Sequence, residues 1–303
     1  MLDPWFRLFR LPNLLTVPGD PIAGFLLASV GRPGGPALVP MLAAAAASLC
    51  LYMFGLAVND IVDIETDRAE RPDRPLPSGQ ITVPQAKMAA LAAALSGLNI
   101  SLIAGRPALC VAGALAALIL AYNMALKRIP VAGICAMGGC RGLSVALGVA
   151  AARSEWFAQP PDATCVPAAL AALAVTAYVV AFSAIAKNEM AAEKPMGPVR
   201  WMPFAVLLIA LPSVLLTSKW TEWVMPTVSV FLMAMTLMRS WLLGGLLYRA
   251  HPVPHIIGGH ICNLLCVQAC LCAAAGIAGL LPALLLMALA FVFPHLAKRF
   301  YSS

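Results

Sequence analysis

The sequence predicts an all-α protein, a single integral-membrane domain over residues 1–303 built as a polytopic transmembrane bundle of nine to ten helices. Three observations carry that expectation. Hydrophobic residues make up 61% of the chain and charged residues only 11%, against roughly a quarter charged in soluble globular domains. The mean hydropathy is +0.88. The Ala-rich aliphatic runs are long enough to cross a hydrocarbon core of about 30 Å, and they lack the strict alternation of a transmembrane barrel, so the spans are helices.

Taken in order, the amino end MLDPWFRLFRLPNLL has arginines and then an apolar run, with no small-residue cleavage site standing out, and reads as the approach to a first span. Spans are expected near 12–30, 37–58, 84–104, 108–125, 131–151, 165–186, 201–217, 223–247, 259–279 and 281–297. With the amino end cytoplasmic, one face collects Arg7, Arg10, Arg68, Arg71, Arg74, Lys87, Lys127, Arg128, Lys187, Lys194, Arg200, Arg249, Lys298 and Arg299. The other has Arg32, Arg106, Arg153 and Lys219. The positive-inside rule therefore puts the loops after the second and sixth spans on the cytoplasmic side. An acidic element follows each of those spans, yet no clean internal repeat is visible.

The first acidic element organises the chain. Asn59 to Gly79 reads NDIVDIETDRAERPDRPLPSG and holds six of the thirteen carboxylates: Asp60, Asp63, Glu65, Asp67, Glu70 and Asp73. If the segment begins as a helix, Asp60, Asp63 and Asp67 at i, i+3 and i+7 project from one face and converge on a shared ligand. Their mutual repulsion calls for a cation, and hard oxygen donors without Cys or His favour Mg²⁺. Arg68, Arg71 and Arg74 follow, then a PLPSG turn. Acids that hold a metal beside arginines that match phosphate oxygens make a diphosphate clamp. The formal charge of +7 thus reflects topology and phosphate binding, and does not argue for nucleic acid.

The run NDxxDxxxD followed by RPxRPLxSG closely resembles the first signature of the UbiA superfamily of intramembrane prenyltransferases, whose members usually have nine helices. The extra apolar segment here is expected to be the last, lying at the surface or packing as a half-span. The resemblance brings in Asn59 with the acids and extends to FSAIAKNEMAAEKPMGP at 182–198, where the family has a second aspartate-rich motif introduced by Lys-Asp. Here that motif is degenerate: Lys187 and Asn188 stand at its start, and Glu189 and Glu193 replace the aspartates as candidate ligands of a second Mg²⁺. In AYNMALKRIP at 121–130 the resemblance points to Tyr122 and Lys127, the lysine meeting the diphosphate, and in RLPNLL to Arg10 and Asn13 as a first-helix polar pair at the acceptor or diphosphate end.

Other polar residues are read from their setting. Arg141 lies deep in the fifth span between glycines, where a charge needs a partner or a wet cavity; it reads either as a group recognising the acceptor or as a structural pair with Asp20 or another intramembrane acid. His251, His255 and His260 read as interfacial, since no Cys or acid completes a zinc site. Cys262, Cys266 and Cys270 form one helical stripe suited to packing, and the nine cysteines imply no disulfide framework.

The resemblance implies Mg²⁺-dependent transfer of a prenyl group from an allylic polyprenyl diphosphate to a small aromatic or lipid-like acceptor within the membrane. Asp60, Asp63 and Asp67 would hold Mg²⁺, and Arg71, Arg74 and Lys127 would stabilise the departing diphosphate. A secondary transporter would also have buried charges but no need of this motif, and a CDP-alcohol phosphotransferase begins its pattern with Asp-Gly and Ala-Arg, absent here.

Overall fold

The computed structural model describes residues 3–32, 34–155, 157, 163–186, 197–218 and 224–300. Two short helices, α1 (Asp3–Leu8) and α2 (Leu11–Leu14), precede α3 (Gly19–Ser29). Then come α4 (Leu38–Val62), α5 (Ile64–Glu70), α6 (Val83–Ile103), α7 (Arg106–Met124), α8 (Pro130–Ala152) and α9 (Val166–Ala186). The series ends with α10 (Met202–Thr217), α11 (Val224–Gly244), α12 (Leu246–Ala250), α13 (Val253–Ala273) and α14 (Leu280–Phe300). Among the described residues, nine helical segments are long and apolar enough to cross a membrane. The all-α bundle is as the composition predicts.

Local chemistry fixes several boundaries. Thr82 and Gln85 cap α6 reciprocally: the Thr82 amide donates to Gln85 Oε1 at 2.9 Å, and Thr82 Oγ1 accepts from the Gln85 amide at 3.4 Å. Proline stands in the first turn of α6, α7, α8 and α13, where the missing N–H leaves no broken bond. The loop after α5 turns at Gly79, whose φ of +76° favours glycine, and buries Leu76 and Ile81 against Leu8 of α1.

The segment short of a full span is the first, not the last. The 21-residue α14 is a full span, whereas the 11-residue α3 covers about 16 Å, half of the roughly 30 Å core. All of α3 except Ile22 is buried, and it bridges α4 to α13 while packing on α8 and α9. A Cβ at Gly24 would fall on the Val145 carbonyl, and one at Gly148 on the Pro21 carbonyl, so α3 and α8 touch backbone to backbone. Amino-terminal to α3 the chain is irregular, and the free Thr16 carbonyl accepts hydrogen bonds from Arg141 Nη2 at 2.7 Å and Gln268 Nε2 at 2.6 Å. Backbone without helical partners survives at this depth only when buried protein groups satisfy it.

Two ends of the bundle differ in chemistry. At one, Arg32 pairs with Glu155 and donates to the Ala152 carbonyl at 3.0 Å, closing the α3 end onto the α8 end. At the other lie Arg10, the acidic segment, Arg74 and Lys127.

Candidate active site

A cavity of about 300 Å³ opens inside the bundle at the acidic end. Its walls are stripes of residues three, four or seven apart, as helical geometry requires: Ser48, Tyr52, Gly55 and Asn59 on α4, Leu115, Ile119 and Tyr122 on α7, and Val179, Phe182 and Ala186 on α9. Polar residues gather near the mouth, where Arg10, Asn13, Asn59, Tyr122 and Asn123 contribute. Farther in, Ser48 and Ser144 hydrogen-bond to each other at 2.6 Å from α4 and α8.

Three ion pairs stand at the mouth. Arg10 Nη2 lies 3.4 Å from Asp60 Oδ1, Arg74 Nη1 lies 2.7 Å from Asp67 Oδ2, and Lys127 Nζ lies 2.6 Å from Asp63 Oδ1. Lys127 Nζ also donates to Asn59 Oδ1 at 3.5 Å. The Asp60 and Asp67 side chains are 7% exposed each, so these two carboxylates are held largely out of water. Arg10 adopts a left-handed backbone at φ 47° between α1 and α2, alone among the described non-glycine residues. That conformation costs about 1–2 kcal/mol and marks a position fixed by its surroundings, here the turn that carries the guanidinium over Asp60.

The acids are not arranged as a continuous helix would arrange them. Asp63 ends α4 with φ −92° and ψ 5°, and α5 starts at the next residue. Asp60 and Asp67 stay within electrostatic reach of each other and of Arg74, while Asp63 turns to Lys127. Among the described residues no three Asp, Glu, His or Cys side chains gather into a metal-binding group: Asp60 and Asp67 stay near each other, and Asp63 is held by Lys127. Like charges separate, and each takes a cation of its own. The donor set still fits Mg²⁺, which is commonly bound through one or two carboxylates and completes its octahedron with water and phosphate oxygens.

The remaining candidates divide. Arg71 is exposed on the loop after α5, and Arg68 pairs with Glu65 at 2.6 Å, also exposed. Arg141 lines the cavity, but its Nε lies 2.8 Å from Asp20 Oδ2, so the structural pair is formed. Gln268 Nε2 completes that centre with a 2.6 Å bond to Asp20 Oδ1. His260 is not interfacial, since α13 begins at Val253 and buries it fully, with Nδ1 3.0 Å from the Tyr178 hydroxyl. Cys262, Cys266 and Cys270 are buried free thiols, as their helical stripe implies. Lys187, Asn188, Glu189 and Glu193 lie outside the described residues. Sequence reasoning missed Asn123, Tyr52, Ser48 and Ser144; stepping down α4 from Asn59 by helical spacing would have found Tyr52 and Ser48.

Residues 21–249 match the family model described as the UbiA prenyltransferase family. The chain belongs to that family. Among curated relatives, a digeranylgeranylglyceryl phosphate synthase of Methanopyrus kandleri is 31% identical over 140 residues, 45% of this chain and 50% of the relative. A protein of the same name from Methanoculleus marisnigri is 30% identical over 154 residues, 51% of this chain and 53% of the relative. The chain thus matches about half the length of these relatives. Among solved structures, a UbiA homologue from Aeropyrum pernix aligns with a TM-score of 0.67 at 20% identity, covering 85% of this chain and 96% of that one. A UbiA homologue from Archaeoglobus fulgidus bound to DMAPP and Mg²⁺ aligns with a TM-score of 0.56 at 18% identity, covering 88% and 99%. Both share the UbiA fold with this chain.

Proposed function

We propose that this protein transfers a prenyl group from an allylic prenyl diphosphate to a lipid-like acceptor inside the membrane. The observation that carries the proposal is the juxtaposition of an ion-paired mouth, where Asp60, Asp63 and Asp67 meet Arg10, Arg74 and Lys127, with an apolar cavity whose lining includes Arg10 and Asn59. The diphosphate fits the mouth and the prenyl chain fits the walls. Family membership and the names of the relatives support the same reaction class, and the homologue bound to DMAPP and Mg²⁺ supports the donor and the metal. The apolar lining favours a lipid-like acceptor over a small polar one.

Asp60 and Asp67 are the carboxylates that would hold Mg²⁺, with Asp63 and the glutamates Glu189 and Glu193 as further ligands. A metal bound there supplies charge neutralisation to the departing diphosphate. Arg10, Arg74 and Lys127 exchange their carboxylate partners for phosphate oxygens, and Arg71 joins them from the following loop. Asn13, Asn59, Tyr122, Lys187 and Asn188 orient the substrates by hydrogen bonding. As the C1–O bond breaks, its electron pair leaves with the diphosphate oxygen and an allylic cation remains. The acceptor nucleophile forms the new bond to C1, and the proton it loses passes to the released diphosphate. The buried walls exclude water that would otherwise capture the cation. The excess of Lys and Arg on the mouth side supports a cytoplasmic active site.

Incubation of membranes containing the protein with radiolabelled prenyl diphosphates and a cell lipid extract should release diphosphate and yield a labelled lipid. Release of a nucleotide instead, or solute flux without prenyl transfer, would overturn the reading.

A further inference from the structure

Behind the cavity wall lies a buried polar cluster that the reaction described above does not use. His260 and Asn263 on α13 and Tyr178 on α9 are each fully buried within the membrane bundle. The Tyr178 hydroxyl lies 3.0 Å from His260 Nδ1, and Asn263 Nδ2 donates to that hydroxyl at 3.1 Å and to the Thr236 carbonyl of α11 at 3.3 Å. Polar side chains at such depth are costly and mark function by default. The common neighbour of His260 and Tyr178 is Phe182, a residue of the cavity wall. The imidazole of His260 stacks on the Phe182 ring with planes 2° apart and centroids 6.1 Å apart. Tyr178 meets that ring edge to face, with centroids 5.4 Å apart and planes at 72°. One apolar ring is thus fixed in angle by two aromatic partners, and those partners are fixed by hydrogen bonds.

Phe182 stands one helical turn, about 6 Å, below Ala186 at the cavity mouth. On the facing wall Tyr122 lies five residues before Lys127, whose ammonium pairs with Asp63. Arg10, Asn59, Tyr122 and Phe182 line the same cavity, so a prenyl chain whose diphosphate is held at the ion-paired mouth would run past the Phe182 ring. An aromatic face attracts a cation electrostatically, most strongly where water is excluded.

We propose that Phe182 is a catalytic residue, whose ring stabilises the allylic cation formed when the C1–O bond breaks. His260 is a positioning residue, acting through Phe182 with Tyr178 and Asn263 holding it. The proposal rests on the prenyl-transfer reading and deepens it. No bond to Phe182 forms or breaks, since the ring only lowers the energy of the charge-separated state.

The test replaces Phe182 by a series of mono-, di- and trifluorinated phenylalanines in the full-length enzyme. These keep the size of the ring but progressively remove its negative face. The single-turnover rate of diphosphate release should fall with each fluorine, to about 30-fold for the trifluoro ring, the equivalent of about 2 kcal/mol. Binding of an unreactive thio analogue of the donor should stay constant through the series. His260→Leu should lower the same rate in the unmodified protein but add little to the trifluoro variant, because both changes act through one ring. A flat fluorine series with normal diphosphate release by the unmodified enzyme would overturn the Phe182 assignment alone. Additive losses in the double variant would overturn the positioning role of His260. Absence of any release by the unmodified enzyme would overturn the prenyl-transfer reading and this inference with it.

Discussion

Two sets of acid–base pairs lie in this bundle, and they use the same chemistry for opposite ends. At the cavity mouth Asp60, Asp63 and Asp67 face Arg10, Lys127 and Arg74, with cations 15–33% exposed and joined to the acids across turns and loops. At the centre Asp20 is wholly buried and faces Arg141, which is 10% exposed, with Gln268 and the Thr16 carbonyl filling the remaining positions. The mouth pairs are partly exposed, so water can replace either partner, and under the proposed function an incoming phosphate can too. In the central pair Arg141 reaches only the cavity and Asp20 is sealed from water, so separating them would strand the Asp20 charge in a low-dielectric interior. A charge pair in a membrane protein therefore reads as binding or as structural according to what could replace each partner, and residue type does not decide it.

Removal of the metal sharpens the contrast most. Activity should vanish in EDTA and return with Mg²⁺ or Mn²⁺, while thermal unfolding in detergent stays where it was; full activity in chelator would break the assignment of the mouth. Next come Asp60→Asn and Asp67→Asn, each expected to lower turnover by about 10²- to 10³-fold with the amount of folded protein unchanged, since charge placed for a transition state has that order of effect. Loss of folded protein with normal specific activity in what remains would make these acids structural, like Asp20.

At the centre the expected outcome reverses. Arg141→Leu should cost about 3–5 kcal/mol of stability, because it leaves the buried Asp20 carboxylate without its charge partner, and a second change, Asp20→Leu, should recover much of that. Unfolding measured for the single and double variants decides it; no destabilisation in Arg141→Leu together with a large rise in acceptor KM would return Arg141 to the recognition role. The smallest effect belongs to the exposed pair Arg68–Glu65. Arg68→Ala should change stability by no more than about 0.5 kcal/mol and leave turnover alone.

Much of the site was legible before the fold was known. The register of Asn59, Asp60, Asp63 and Asp67 against the Arg-Pro pairs marked the mouth, and Arg10, Asn13, Tyr122 and Lys127 do gather there from separate helices. The break at Asp63 was not legible, since neither Gly nor Pro signals it and its partner Lys127 lies 64 residues away in the chain. Nor was the burial of His260: a histidine directly after a Gly-Gly pair and near two prolines looks interfacial until α13 is seen to start at Val253.

By itself the sequence determined that this is a helical membrane bundle and which end carries acids and arginines. Both follow from local quantities, hydropathy summed over a span and the spacing of charges along one helix. Only the tertiary structure decided that the first apolar segment is the half-length one, that Arg141 pairs with Asp20, and that Phe182 is stacked on by His260. Those outcomes depend on which side chains far apart in the chain meet in space. Inside a membrane every helix face is apolar enough to be buried, so hydropathy cannot say which faces do meet; close packing and the pairing of the few polar groups make that choice.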